Sequence, residues 1–330
     1  MPEDPTMADE RPVRIGVLVN AGRCKDATTG FMRAVEKIVG LSRIACTTSA
    51  AQVPEAVRRL VLDEKITVLA VRGGDGTIHH AVNALTAFTP AEGAPVILPL
   101  SGGTMNILAR GARIKGEGVP ILSRFARMYD SHRLRDVPTV DRGLLRVEST
   151  TLGARHGFVL GSALTARCLE ICDERFGGTP LAFVRLIGAA VSGSLLKTRF
   201  WKENGHLATD LRSAAVVDGE AVSCVATVAT TVDITLARGL IRGMAASQAL
   251  ARGFTVRTLL DIDPSNLWRT VPDLVFGRPG PGIRDFAAVA ELRLAGDFSL
   301  DGEIFRVPDR AAETRVTPAD KDVRFVFAFP

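Results

Sequence analysis

Ile66–Arg72 is a near-continuous apolar run that ends on Gly73-Gly74-Asp75-Gly76-Thr77, after which Ile78, Ala81, Val82 and Leu85 recur at helical spacing. A parallel strand covered on both faces reads as such a run, without alternation. A strand entering a helix through a glycine turn constrains the fold more than any other feature of this chain. It gathers a strand end, a loop backbone and a helix amino end around one point. Missing side chains let the loop backbone come close to a ligand and take torsions closed to other residues. The helix amino end adds N–H groups and the positive end of its dipole, which together favour phosphate. Asp75 is repelled by phosphate, so its place there requires that it act through a magnesium ion or orient the polar groups around the phosphates. Thr77 can cap the helix or donate to a phosphate oxygen.

The design repeats one strand later. Pro95–Leu100 is apolar, and Ser101-Gly102-Gly103-Thr104 leads to a second helix start at Met105-Asn106. Upstream, Val13–Asn20 and Arg43–Thr47 read as strands, and the sets Phe31, Val35, Ile38, Val39 and Val53, Ala56, Val57, Leu60, Val61 as helix faces. Such alternation predicts an α/β nucleotide-binding domain with a parallel sheet. Ligands of these sheets bind at the carboxyl ends of the strands, where both loops sit. After Asp136 the texture changes to short strands, Leu144–Val147, His156–Leu160, Ala214–Val217 and Ala221–Thr230, with a hairpin turn at Asp218-Gly219. A helical stretch, Ser162–Phe200, breaks around Gly177–Pro180, and Leu292–Leu300 and Val323–Phe329 close the chain as strands. The second domain is therefore expected to be mostly antiparallel and β-sandwich-like, with inserted helices. The expected division is a flexible tail over 1–11, an α/β domain over 12–136 to which 308–330 packs back, and a β-rich domain over 137–307.

Composition narrows the function classes. The chain of 330 residues is 46 % apolar and carries 41 Lys+Arg against 36 Asp+Glu, a formal charge of +5 that suits phosphate-rich ligands or an anionic membrane. With 5 % aromatic residues and no nucleic-acid motif, nucleic acid is not an expected partner. The five cysteines show no zinc spacing and read as free thiols of a reducing cytosol, with Cys168 and Cys172 on one helix face. The polar, acidic start is not a signal peptide, and Leu181–Leu196 is too short and interrupted to span a bilayer, so no transmembrane segment is expected. That stretch reads as a core helix, with a helix lining a lipid entrance or resting on a membrane as the other reading. Arg110, Arg113, Lys115, Arg124, Arg127, Arg133 and Arg135 form a basic segment, either a solvated helix face or a docking surface for anionic lipid headgroups or triphosphate, in which Arg110 and Arg113, beside the second loop, are the candidate phosphate contacts.

A third motif, Leu300-Asp301-Gly302-Glu303, sets two carboxylates beside a glycine after a strand. With Gly73–Thr77 and Gly103-Thr104-Met105-Asn106 it completes an ordered set that resembles the diacylglycerol kinase catalytic-domain family, which includes sphingosine, ceramide and bacterial lipid kinases. The resemblance implies ATP-dependent phosphorylation of a lipid hydroxyl (diacylglycerol, ceramide or a sphingoid base), with ATP and Mg2+ used in a cleft between two domains. It assigns ATP binding to Asn20, Gly73, Gly74, Gly76, Thr77, Gly103, Thr104 and Asn106, and catalysis to Asp75, Glu303 and Asp301. Glu303 would be the base, Asp301 its support or the metal's, and Asp75 would reach the metal, directly or through water. A cytoplasmic, peripherally membrane-associated enzyme meeting its lipid at the membrane surface is implied, and a homodimer is compatible with it.

The chain departs from the family pattern in two places. Asn20-Ala21-Gly22-Arg23 replaces an Asn-Pro-x-x-Gly turn, leaving nucleotide contacts from Gly22, Arg23 or Lys25 open, and His80 stands where relatives carry Glu. His79 or His80 could face the nucleotide, with a solvent-facing helix histidine as the expected reading. A second Asp-Gly-Glu, Asp218-Gly219-Glu220, fits a hairpin turn better than the catalytic role. Two other readings compete: an NAD kinase-like enzyme, which shares the first glycine turn, and a catalytically silent lipid- or nucleotide-binding protein.

Overall fold

The computed structural model describes residues 9–22, 29–88, 93–100, 102, 106–114, 116, 118–129, 131–177, 182–207, 213–236, 241–244, 253–261, 267–278, 280, 282–309 and 312–329. Two compact units form, residues 1–142 with 322–330 and residues 143–321, and the chain passes from one to the other inside β5 (Thr139–Ser149) and again inside β18 (Glu313–Val326).

In the first unit β1 (Ile15–Asn20), β2 (Ile44–Thr47), β3 (Val68–Arg72) and β4 (Val96–Pro99) make a parallel sheet in the order β2-β1-β3-β4. The last residues of β18 extend it, Phe325 pairing in parallel with Ile97. Every residue of β3 and β4 is buried, which is why neither run alternates. Helix α1 (Thr29–Val39) packs with α5 (Gly118–Tyr129), and α2 (Val53–Leu62) with α3 (Asp75–Ala87). Pro54 sits in the first turn of α2, where a missing N–H costs no helical hydrogen bond.

Two expectations are corrected in this unit. Fraying does not extend through Arg11. The Asp9 carboxylate accepts from Arg11 and Arg324, the Arg11 carbonyl accepts from Leu134, and Pro12 bridges to Arg133. Asp9 and Glu10, the described acidic residues of that segment, pair with Arg324 and Arg135, far along the chain. His79 is not solvent-facing either: it is 1 % exposed, and Asn83 donates to its carbonyl. Its helix, α3, is covered on that side, which helical spacing alone does not reveal.

In the second unit two antiparallel sheets share one core. One holds β18, β15 (Leu292–Ala295), β8 (Ser213–Val217) and β9 (Glu220–Cys224), with a β5–β6 (Gly153–Gly157) hairpin. The other runs β14 (Ile283–Val289), β13 (Phe254–Leu259), β10 (Ala226–Thr230), β7 (Val159–Ala163), β16 (Phe298–Leu300), β17 (Glu303–Phe305). Leu145, Val217 and Leu292 of the first pack with Phe254, Phe298 and Leu300 of the second. Three expected single strands are in fact pairs that change sheets at a corner. His156–Leu160 breaks at Phe158, Ala221–Thr230 at Val225, and Leu292–Leu300 at Gly296, whose φ is +84°. Phe158 and Val225 are fully buried, so no polar residue marks either corner. Strand β11 (Ile234–Leu236) pairs with β12 (Ile241–Met244). The helical stretch is α6 (Leu164–Phe176), α7 (Ala182–Leu196) and α8 (Arg199–Asn204), with α9 (Leu267–Phe276) packed on α7.

Candidate functional site

The first glycine loop leaves the carboxyl end of β3, and α3 begins at Asp75, with Gly74 extended before it (φ −90°, ψ −175°). The Gly74 carbonyl accepts from Thr77 and Ile78, closing the first turn. The glycines here are not needed for left-handed torsions, as was expected: neither Gly73 nor Gly74 has a positive φ. What Gly73 needs is closeness. A Cβ there would lie 2.4 Å from Thr77 Oγ1 and 2.6 Å from Thr77 Cβ, so the loop is folded against its own helix. Thr77 is buried, and its hydroxyl accepts from Asn20 Nδ2 at 3.0 Å, which joins the end of β1 to the turn after β3.

The second loop is joined to the first by backbone and by Asp75. Gly102 donates its N–H to the Gly73 carbonyl at 2.9 Å, and a Cβ on Gly102 would lie 3.1 Å from the Gly73 nitrogen. Asp75 Oδ2 accepts from the backbone N–H of Ile107 at 3.0 Å, and Oδ1 from that of Leu108 at 3.1 Å. Those two amides open the short helix α4 (Ile107–Gly111), so Asp75 satisfies donors that a helix start leaves without an intrahelical partner. Asn106, which precedes α4, takes the left-handed conformation (φ 50°, ψ 43°) that asparagine tolerates better than most residues. Gly103 and Thr104 lie outside the described residues, as do Arg23, Lys25 and Lys115.

Both carboxylate oxygens of Asp75 thus hold backbone, which suits this residue to placing the second loop. Arg110 sits in the last turn of α4, and its Nη1 is buried without a hydrogen-bond partner among the described residues. An unsatisfied buried guanidinium N–H is costly, and an anionic group from a ligand would relieve that cost. Four other arginines of the basic segment have partners within this unit. Arg113 lies over Phe327 and Arg124 over Phe329, while Arg133 and Arg135 bond Glu10. Arg72 escaped the sequence reading. It ends β3 buried, donates to the Leu100 carbonyl at 3.0 Å and lies over Phe31, so it links the ends of β3 and β4 beneath the loops. An arginine closing an otherwise apolar strand was the signal available for it.

In the second unit Asp301-Gly302 is the two-residue turn between β16 and β17, with φ values of 52° and 89°, as a type I′ hairpin requires. Asp301 Oδ1 accepts from the N–H groups of Phe158 and Val159, each at 2.9 Å, and the Asp301 N–H donates to the Val159 carbonyl. Its carboxylate holds the corner between β6 and β7. Gly157 precedes that corner, and a Cβ on it would come within 2.7 Å of Asp301 Oδ2. Glu303 follows as the first residue of β17, half-buried.

Asp218-Gly219 has the same construction. Its φ values are 47° and 86°, Asp218 Oδ1 accepts from Ala290 and Glu291, and the Asp218 N–H donates to the Glu291 carbonyl. The turn reading therefore applies to both Asp-Gly-Glu motifs and does not separate them. In the Asp218–Glu220 motif the glutamate is held by a two-pronged ion pair with Arg284. Cys168 and Cys172 lie on α6 as free thiols, pushed up to about 11 and about 12 by burial.

Residues 14–133 match the model of the diacylglycerol kinase catalytic domain. No curated protein sequence matches the chain. Among solved structures, a Bacillus anthracis str. Sterne protein assigned to the diacylglycerol kinases is 11 % identical with a TM-score of 0.66, and covers 98 % of either chain. A diacylglycerol kinase of the same organism is 10 % identical with a TM-score of 0.60, over 95 % of this chain and 96 % of its own. At such identity the likeness is one of fold. The two-unit architecture is accordingly that of these bacterial proteins, and the segment bearing both glycine loops, residues 14–133, is matched by the diacylglycerol kinase catalytic domain.

Proposed function

We propose that this protein is a lipid kinase that moves the γ-phosphate of ATP to a lipid hydroxyl, diacylglycerol, ceramide or a sphingoid base. The observation that carries the reading is Asp75 bridging the two glycine loops inside a segment matched by a kinase catalytic domain. Phosphoryl transfer asks a protein mainly to position groups and neutralise charge. Asn20, Gly73, Gly74, Gly76, Thr77, Gly103, Thr104 and Asn106 are assigned to ATP, and Arg110 to its phosphates. Magnesium bound with ATP would supply further positive charge there, and Asp75 is the residue that would hold it, directly or through water.

In the reaction the acceptor oxygen bonds to the γ-phosphorus as the bond to the β–γ bridging oxygen breaks. ADP leaves, and Glu303 takes the hydroxyl proton. Asp301 is a positioning residue that fixes the hairpin on which Glu303 stands. The enzyme meets its lipid at the membrane surface from the cytoplasm. Among the described residues no helix is long and apolar enough to cross a membrane.

Labelled ATP, magnesium and a panel of diacylglycerol, ceramide, sphingoid bases and NAD test the reading. Label on one of the lipids is expected. Label on NAD and on no lipid would overturn it in favour of the NAD kinase-like alternative. ATP binding without transfer to any acceptor would favour the silent binding protein.

A further inference from the structure

We infer that the outward face of α7, with the turn that follows it, is a docking surface for an anionic lipid bilayer. The fifteen residues of α7, AFVRLIGAAVSGSLL, contain one charge. Its inner side is packed, Ala182 and Leu186 against Ile171 and Cys172 of α6, and Ala190 and Val191 near Leu267 of α9. The outer side carries Val184, Gly188, Ser192 and Leu195, spaced so that all lie on one face, followed by Leu196. Leu195 is 58 % and Leu196 75 % exposed. Adjacent exposed leucines at a helix end are a cost in water that an apolar medium removes.

The only hydroxyl on that face is prepared for such a medium. Ser192 Oγ donates to the Gly188 carbonyl at 2.7 Å, so its donor is satisfied within the helix. Charge complementarity names the occupant. Arg185 stands near the start of the face, and Lys197, Arg199 and Lys202 follow its end, all exposed, against Glu203 as the one acidic residue from 182 to 207. The Arg199–Glu203 pair is a surface contact and leaves the segment net positive. Apolar side chains entering the headgroup region with cations beside them are what an interfacial helix on anionic lipid presents. The inference deepens the lipid-kinase reading and takes its purpose from it, although the helix chemistry stands by itself.

The test is sedimentation of the full chain with phosphatidylcholine vesicles, with and without phosphatidylglycerol and free of any acceptor lipid. Alongside it, turnover of a short-chain, water-soluble diacylglycerol is measured. Binding is expected with the anionic vesicles only. Leu195→Gln with Leu196→Gln should weaken it roughly tenfold or more. Lys197→Asn with Lys202→Gln should weaken it about fivefold per cation removed; asparagine suits the left-handed conformation of Lys197 (φ 50°). Both variants should keep the turnover of the soluble acceptor. Unchanged vesicle binding by the leucine variant overturns the inference. So does a wild-type dimer that this variant dissolves while leaving vesicle binding intact, because the face is then a contact between copies. Vesicle binding lost in the variants, with no acceptor phosphorylated even by the wild type, supports the docking surface and removes the kinase reading alone.

Discussion

Asp75 Oδ2 lies 3.0 Å from the backbone nitrogen of Ile107, thirty-two residues further on, and Oδ1 takes the next amide, that of Leu108. One carboxylate therefore begins one helix and caps another, and the two glycine loops cannot shift independently. Asp75→Ala strips both acceptors, an expected loss of about 1–3 kcal/mol in stability. Displacing a substrate-positioning loop by about 1 Å can cost about a hundredfold in rate. Turnover should fall by at least that factor in Asp75→Ala. Asp75→Asn, whose single amide oxygen replaces one acceptor, should retain more of both. Melting curves and steady-state kinetics check this, and near-normal turnover of Asp75→Ala would refute the assigned role.

Arg110 should separate stability from binding. Its buried Nη1 has no hydrogen-bond partner among the described residues, so Arg110→Met removes an unsatisfied donor. The variant is expected to be at least as stable as the parent. Losing a charge-assisted bond to phosphate, about 1.5–3 kcal/mol, should raise the KM for ATP about ten- to a hundredfold. An unchanged KM would remove Arg110 from the site.

The two Asp-Gly hairpins give a matched pair. Asp218→Gly and Asp301→Gly each keep the left-handed torsion open and delete a carboxylate that accepts two backbone N–H groups. Both should lose about 1–3 kcal/mol by chemical denaturation. Only Asp301→Gly should also lose turnover, because Glu303 stands on its hairpin. Equal activity in the two variants would show that the Asp301–Glu303 motif has no special role.

Glu303→Gln keeps the size of the side chain and removes the base. Turnover should fall about 10²–10⁴-fold with the melting temperature essentially unchanged. A residual rate within threefold of the parent would assign the proton to another group.

The α6 thiols should be nearly inert in the native protein. Burial raises Cys172 to about 12, with the Cys168 and Asp173 negative charges adding to it, and raises Cys168 to about 11. At pH 8 the thiolate fractions are on the order of one in ten thousand and one in a thousand, since the thiolate is the reactive form. Alkylation of Cys172, followed by mass spectrometry, should rise about tenfold per pH unit up to that range and become fast on unfolding. Rapid, pH-independent labelling between pH 7 and 9 would contradict this.

Much of the fold was legible because it is written locally. The apolar runs of β1, β3 and β4 record strands covered on both faces. Asp218-Gly219 carries its own turn chemistry, and Gly73-Gly74 marks where a buried strand gives way to a helix. Each depends on residues adjacent in the chain.

What tertiary structure alone decided is who meets whom. The sequence marked Asp75 as an acid out of place beside phosphate, but not that Ile107 and Leu108 would use both its oxygens. Glycine at 73 suggested a free torsion, whereas the reason is the Thr77 side chain 2.4 Å from where a Cβ would stand. The runs through Phe158 and Val225 looked like single strands because a buried corner is as apolar as a buried strand. Periodicity reports which side of a residue is covered; hydrogen-bond partners and close approaches depend on distances between segments far apart in the chain, and only the folded arrangement sets those.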